Sequence, residues 1–295
     1  MLVAGIALIA CSPRSQPAST DIAASEVTIG EIEHDGRQRT YRLFVPADIG
    51  SGYPLVVALH GGLGSGEQFA SASGYDEVAA REGFAVIYPD GYRRTWNGGG
   101  CCGRAVAEDV DDVGFLVSLI EQLTQELPID PERVFMTGHS NGAIMTFRVA
   151  CERSDLVAAV APVAGSLEVA DCAPPRGIPL LLIHGDSDRN HPLEGGEGER
   201  SLAGVAFTSV EESMATWTAA LGCESPQEPI VEGAVMTTTW TTCRDGAIAQ
   251  TVIIAGADHP WPGGTVQAEA IQGTPTQELD ATEATWSFFV TSSDG

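Results

Sequence analysis

The five residues Gly138-His-Ser-Asn-Gly142 are the strongest concentration of chemistry in this sequence. A serine hydroxyl is a poor nucleophile at neutral pH, so covalent chemistry at Ser140 needs a base to take its proton and a third group to hold that base in one tautomer. Glycines on both sides relieve crowding in a sharp strand-to-helix turn that exposes the serine. In a chain with 34 glycines the pattern alone is weak. Its context carries it: the apolar Val134-Phe-Met enters the motif, and Ala143-Ile-Met-Thr-Phe-Arg leaves it as a helix.

With a nucleophile on such a turn, the chain order is serine, then acid, then histidine. Asp188 is the expected acid, in Gly185-Asp-Ser-Asp188 just past an apolar strand, and Asp186 is its rival, read as a turn former. Six histidines compete for the base. His34 falls in a turn, His60 and His184 end strands before glycines, and His139 is inside the serine motif. His259 follows a strand well downstream of the acid and is the expected base, with His191 as the alternative. A base that works only when neutral predicts activity rising with pH through the ordinary histidine range near about 6.5.

A tetrahedral intermediate places negative charge on the former carbonyl oxygen, which calls for backbone N–H donors already aimed at it. His60-Gly-Gly-Leu-Gly64 lies just after an early strand and predicts one donor at Leu63, or else at Gly62. Asn141, next to the nucleophile, supplies the other. A phosphate-cradling reading of this glycine loop fails, since the chain contains no lysine. Neither a metal nor an organic cofactor is expected.

The elements that must position these residues alternate. An antiparallel hairpin is predicted over residues 27 to 46, around His34-Asp35-Gly36. Pro54-Leu-Val-Val-Ala-Leu-His60 and Phe84-Ala-Val-Ile-Tyr-Pro89 are short continuous apolar runs, typical of strands buried on both faces, with a helix over 67 to 82 between them. Helices over 112–127, 142–153 and 207–221 alternate with strands at 134–137, 158–163, 179–184, 235–242 and 250–255, and a last helix ends near Val290. The economical fold is one mostly parallel sheet with helices on both faces, spanning residues 26–295 as a single catalytic domain.

Forty acidic residues against 15 basic ones leave a formal charge of -25, which repels phosphate backbones and excludes nucleic acid as an expected partner. The apolar Met1 to Ala10 runs into Cys11 and then Ser12-Pro-Arg-Ser15, similar to a bacterial lipobox. Residues 1–25 are therefore read as an export signal and flexible spacer, with Cys11 lipidated and the membrane reached only through that anchor. The missing positive start suggests a true start upstream. Six further cysteines in an exported chain read as disulfides. Cys223 and Cys243 are expected to pair. A ring between the adjacent Cys101 and Cys102 would be strained, so separate bonds to Cys151 and Cys172 are expected.

Taken together, His60-Gly-Gly, Tyr88-Pro-Asp-Gly91, Trp96-Asn-Gly-Gly-Gly-Cys-Cys-Gly103, Asp109-Val-Asp-Asp-Val-Gly-Phe115, the serine motif, His184-Gly-x-x-Asp188 and His259-Pro-Trp-Pro-Gly263 resemble the polyhydroxybutyrate depolymerase-like and feruloyl esterase family. The resemblance runs over roughly residues 30 to 290. It implies an α/β-hydrolase fold and a secreted serine esterase whose triad falls on Ser140, Asp188 and His259. Trp96, Trp261 and Tyr92 are candidate walls of a substrate pocket. Arg93 and Arg94 are read as solvated surface residues, with an anionic group as the alternative. No polymer-adsorbing domain is expected after the last helix. The expected substrate is therefore a feruloyl or other acyl ester of carbohydrate; hydroxybutyrate oligomers are the alternative, and a peptidase or a non-catalytic binding protein stand further off.

Overall fold

The computed structural model describes residues 25–265 and 273–293. Cys11, with the proposed leader, lies outside the described residues. The hairpin forms as the sequence predicts: β1 (Glu26–His34) pairs antiparallel with β2 (Arg37–Val45). Its two-residue turn, Asp35-Gly36, has positive φ at both positions (50° and 68°), the geometry that matches the twist of paired strands.

The remaining strands are β3 (Tyr53–Leu59), β4 (Ala85–Pro89), β5 (Ile129–His139), β6 (Ala159–Val163), β7 (Leu180–Gly185), β8 (Ile230–Glu232), β9 (Val235–Trp240) and β10 (Ala249–Ile254). They join in one ten-stranded sheet of order β1-β2-β4-β3-β5-β6-β7-β10-β9-β8. From β4 to β10 every neighbouring pair is parallel, and antiparallel pairs close both ends. β5 begins earlier than the apolar run suggests, because Ile129 pairs with Tyr53 ahead of a register shift.

Helices α1 (Gly66–Ser73), α2 (Tyr75–Glu82), α3 (Gly103–Ala107), α4 (Asp112–Glu126), α5 (Asn141–Arg153), α6 (Val210–Ala220) and α7 (Ala281–Ser293) cover the sheet. The single helix expected over 67–82 is two, since Gly74 takes φ 72° and its N–H closes α1 on the Ala70 carbonyl. Alternate residues of β3 show the two layers. Leu55, Val57 and Leu59 pack with Leu116, Phe147 and Trp217 of α4, α5 and α6. Val56 and Ala58 pack with Phe69, Val78 and Phe289 of α1, α2 and α7. A strand buried on both faces cannot alternate polar and apolar residues, which is why it reads as a continuous run. Each such buried aliphatic side chain contributes roughly 1.5–3 kcal/mol of transfer free energy.

The disulfides correct one expectation and meet another. Cys223 and Cys243 pair as expected, but Cys151 at the end of α5 pairs with Cys172, with α carbons 4.8 Å apart. That spacing is within the ordinary disulfide range, so these two satisfy each other. Cys101 and Cys102 are then left to each other and form a bond between neighbours.

Candidate active site

The carboxyl ends of four parallel strands converge here. His60 follows β3, Ser140 follows β5, Asp188 lies just past β7, and His259 lies in the loop after β10. At the β5–α5 turn Ser140 adopts φ 56° and ψ -118°, a region costly for a residue with a side chain. Close packing enforces the turn: a Cβ on Gly142 would stand 2.3 Å from the Leu59 carbonyl oxygen, and one on Gly138 would stand 2.4 Å from Gly142 itself. Only glycine fits at either position.

His259 Nε2 stands 2.9 Å from Ser140 Oγ, and His259 Nδ1 stands 2.7 Å from Asp188 Oδ2. Asp188 Oδ1 accepts the backbone N–H groups of Asn190 and His191, both at 2.8 Å. Burial would by itself raise the Asp188 pKa; the charge and hydrogen bond of His259, with the amide donors, outweigh it and hold this carboxyl well below the usual range. An ionised Asp188 fixes the Nδ1–H tautomer of His259 and leaves Nε2 free to take the serine proton. Asp186 is exposed and accepts the Gly256 N–H, a turn contact. His191 turns its Nε2 to Ser166 Oγ at 2.7 Å, away from Ser140. Ser166 in turn donates to Glu168.

The oxyanion loop requires a correction. The Leu63 N–H donates to the Arg94 carbonyl at 2.8 Å and is not available to a substrate. The Gly62 N–H has no acceptor among the described residues, and the Asn141 N–H opens the first turn of α5, where helical amides lack an internal partner. A Cβ on Gly61 would come within 3.3 Å of Ser140 Cβ, and one on Gly62 within 3.8 Å of Asn141 Cβ, so this loop lies directly against the nucleophile. Gly62 and Asn141 are the pair of donors the geometry leaves.

His60 sets that loop. Its Nδ1 donates to the Gly61 carbonyl at 2.7 Å, and its Nε2 accepts the Gly91 N–H at 2.9 Å, an arrangement that demands a neutral ring. Burial lowers its pKa to about 4, against smaller opposing contributions from Gly61 and Asp90. The Tyr-Pro-Asp-Gly stretch locks the same corner: Asp90 accepts the Gly66 N–H at 2.8 Å and the Thr40 hydroxyl at 2.6 Å.

Trp96 is not a pocket wall. It is fully buried, donates through Nε1 to the His60 carbonyl at 2.9 Å, and is clasped at its backbone by the Asn141 side chain, N to Oδ1 2.7 Å and Nδ2 to O 3.0 Å. Asn97 extends the anchor by donating its N–H to Asp112, whose carboxylate forms a buried 2.7 Å ion pair with Arg39. Trp261 is 3 % exposed and does line a cleft, of about 50 Å3, together with Gly61, Gly62, Phe69, His139 and Pro260. Tyr92 is half-buried outside that cleft, its hydroxyl donating to Glu108. Arg94 donates to the Gly64 carbonyl, while Arg93 is exposed over the Tyr92 ring. A larger cavity of about 510 Å3 lies at the other end of the strands, lined by Pro54, Arg133 and Trp286, and shares no residue with the site. Among the described residues, no cluster of His, Cys, Asp and Glu could hold a metal ion.

Sequence reasoning missed what His60, His139 and Asn141 do with their side chains. Their places in the glycine motifs were visible, but the bonds of His60 to Gly91, His139 to His259 and Asn141 to Trp96 join segments far apart in the chain.

A family model described as "Esterase PHB depolymerase" matches residues 39–188. NocK of Nocardia uniformis subsp. tsuyamanensis, a protein named as an esterase, is 29% identical over 297 residues, 91% of this chain and 84% of its own. Feruloyl esterase B of Piromyces equi is 28% identical over 70% of this chain, and an acetylxylan esterase of Coprinopsis cinerea is 31% identical over 51%. This chain spans 39% and 41% of those two proteins. Among solved structures, an acetyl xylan esterase from Aspergillus awamori superposes with TM-score 0.60 at 17% identity, covering 79% of this chain and 94% of that one. The fold is the α/β-hydrolase fold.

Proposed function

The chain belongs to the esterase PHB depolymerase family, and from that premise we propose a serine carboxylic-ester hydrolase with Ser140 as nucleophile, His259 as general base and Asp188 as the orienting acid. The observation that carries this reading is the unbroken chain from Ser140 Oγ to His259 to Asp188, at 2.9 and 2.7 Å, beside a Gly62 N–H that has no acceptor among the described residues.

Ser140 Oγ attacks the ester carbonyl carbon as its proton passes to His259 Nε2. The oxygen that gains charge receives N–H groups from Gly62 and Asn141, donors already in place before reaction. Collapse returns the proton from His259 to the departing alcohol and leaves an acyl group on Ser140. Water then repeats the sequence, with His259 again taking and returning a proton.

The substrate reading is an acyl ester of carbohydrate. Relatives named feruloyl and acetylxylan esterases support it. Three disulfides support export to an oxidising compartment, the premise of the proposed leader and of lipidation at Cys11.

The test is hydrolysis of p-nitrophenyl acetate by the wild type and Ser140→Ala. Wild-type turnover that is lost in the variant is expected; equal rates in both would overturn the assignment. Side-by-side rates on acetylated xylan, methyl ferulate and a hydroxybutyrate oligomer then decide the acyl group. Cleavage of the oligomer alone would sink the carbohydrate reading.

A further inference from the structure

The loop that presents His259 has no regular secondary structure, yet its imidazole must meet Ser140 at one nitrogen and Asp188 at the other. Two contacts pin the backbone of His259. Its N–H donates to the neighbouring Asp258 carboxylate at 3.0 Å, a local bond within the same loop. Its carbonyl accepts from His139 Nε2 at 2.8 Å, and this bond reaches across the site.

His139 is the last residue of β5 and the residue immediately before Ser140. The strand that delivers the nucleophile therefore also grips the backbone of the base. The His139 ring is 6 % exposed and is held by three others: tilted 44° against the His259 ring at 4.9 Å, nearly parallel to Phe69 at 6.5 Å, and edge-on to Trp261 at 6.4 Å. No contact in the structure joins the His139 ring to Ser140 Oγ, whose partner is His259.

We propose that His139 is a positioning residue for the reaction, its Nε2–H holding the His259 carbonyl so that the imidazole stays aligned between Ser140 and Asp188. This rests on the assignment of Ser140, His259 and Asp188 made above.

The bond needs a proton on Nε2, which both the neutral Nε2–H tautomer and the charged ring carry. Burial first, and the charge of His259 second, push the His139 pKa down to about 3, against weaker raising contributions from the His259 carbonyl and Asp188. His139 thus stays neutral while His259 cycles through its charged form. A second positive ring at 4.9 Å would oppose that charge.

The experiment uses His139→Leu, which removes the donor, and His139→Gln, whose amide nitrogen reaches the position of Nε2. Active sites are counted by titration with a fluorophosphonate, and kcat per titrated site is measured on p-nitrophenyl acetate and butyrate. Displacement of a catalytic group by about 1 Å costs on the order of 100-fold. The expected result for His139→Leu is a fall in kcat per site of about 10- to 100-fold, by the same factor for both esters, with KM within about twofold. His139→Gln should recover most of it.

Wild-type kcat per titrated site in His139→Leu, with only the active fraction or the melting temperature reduced, would overturn the proposal in favour of packing. So would a Gln variant no better than Leu, or a loss that differs between the two esters. A wild type that turns over neither ester would instead bring down the site assignment, and this inference with it.

Discussion

Both carboxylate oxygens of Asp188 are occupied, one by His259 Nδ1 and the other by two backbone amides. The side chain is fully buried, so it can remain an anion only because these partners outweigh the cost of burial. Replacing it with Asn keeps the shape and the packing but removes the charge and the strict acceptor character. The Nδ1–H tautomer of His259 is then no longer enforced, and Nε2 loses its readiness to accept a proton. Asp188→Asn is expected to lower kcat on p-nitrophenyl acetate by roughly 1,000- to 10,000-fold, the scale seen where a serine hydrolase loses this anion, with a far-UV spectrum unchanged. A variant within tenfold of wild type would return the role to another acid.

At the scale of elements, the site depends on a clasp between α5 and the loop that follows β4. The Asn141 side chain pairs with the Trp96 backbone through both of its polar ends. The Trp96 indole in turn ties to His60 beneath the oxyanion loop. Asn141→Ala would leave the main-chain N–H of residue 141 in place but strand the buried Trp96 N–H, while the Trp96 carbonyl keeps the N–H groups of Gly98 and Cys102. A stability loss of about 1–3 kcal/mol is expected, read from urea denaturation, with faster amide exchange in residues 95–102. Unchanged exchange there would mean that the buried Arg39–Asp112–Asn97 anchor holds the loop by itself.

For the whole molecule, acid is the vulnerable direction. His60 and His139 are neutral in the fold down to about pH 4 and 3, because burial disfavours their charged forms. In the unfolded chain each takes up a proton near about pH 6.5. Between those limits the unfolded state binds more protons than the folded one, so stability is full above about pH 6.5 and falls as pH drops. The two together lower stability by about 2 kcal/mol between pH 6 and pH 5. Asp188, whose pKa is depressed by folding, adds its loss only below the ordinary carboxylate range near about 3.9. Urea midpoints at pH 7, 6 and 5 test this: a flat series would mean that these histidines are not buried neutral.

Several features were legible in the residues alone because they depend on local sequence or on chain order. The elbow at Ser140 follows from glycines beside a serine between an apolar run and a helix. That Asp188 and His259 are the residues brought to Ser140 follows from their order after it, and the parallel sheet follows from unbroken apolar strands alternating with helices. Contacts between distant segments decided the rest. Leu63 sits in the right loop, but its N–H is taken by Arg94, and this shifts the free donor to Gly62. Trp96 has the composition of a pocket wall but is needed beneath His60, and Cys151 stands at disulfide distance from Cys172 only once α5 is docked. Hydrogen-bond occupancy, burial and cysteine pairing are properties of what lies opposite a residue in space. Periodicity and spacing along the chain constrain which segments meet, and the packed sheet alone determines which atoms of those segments face one another.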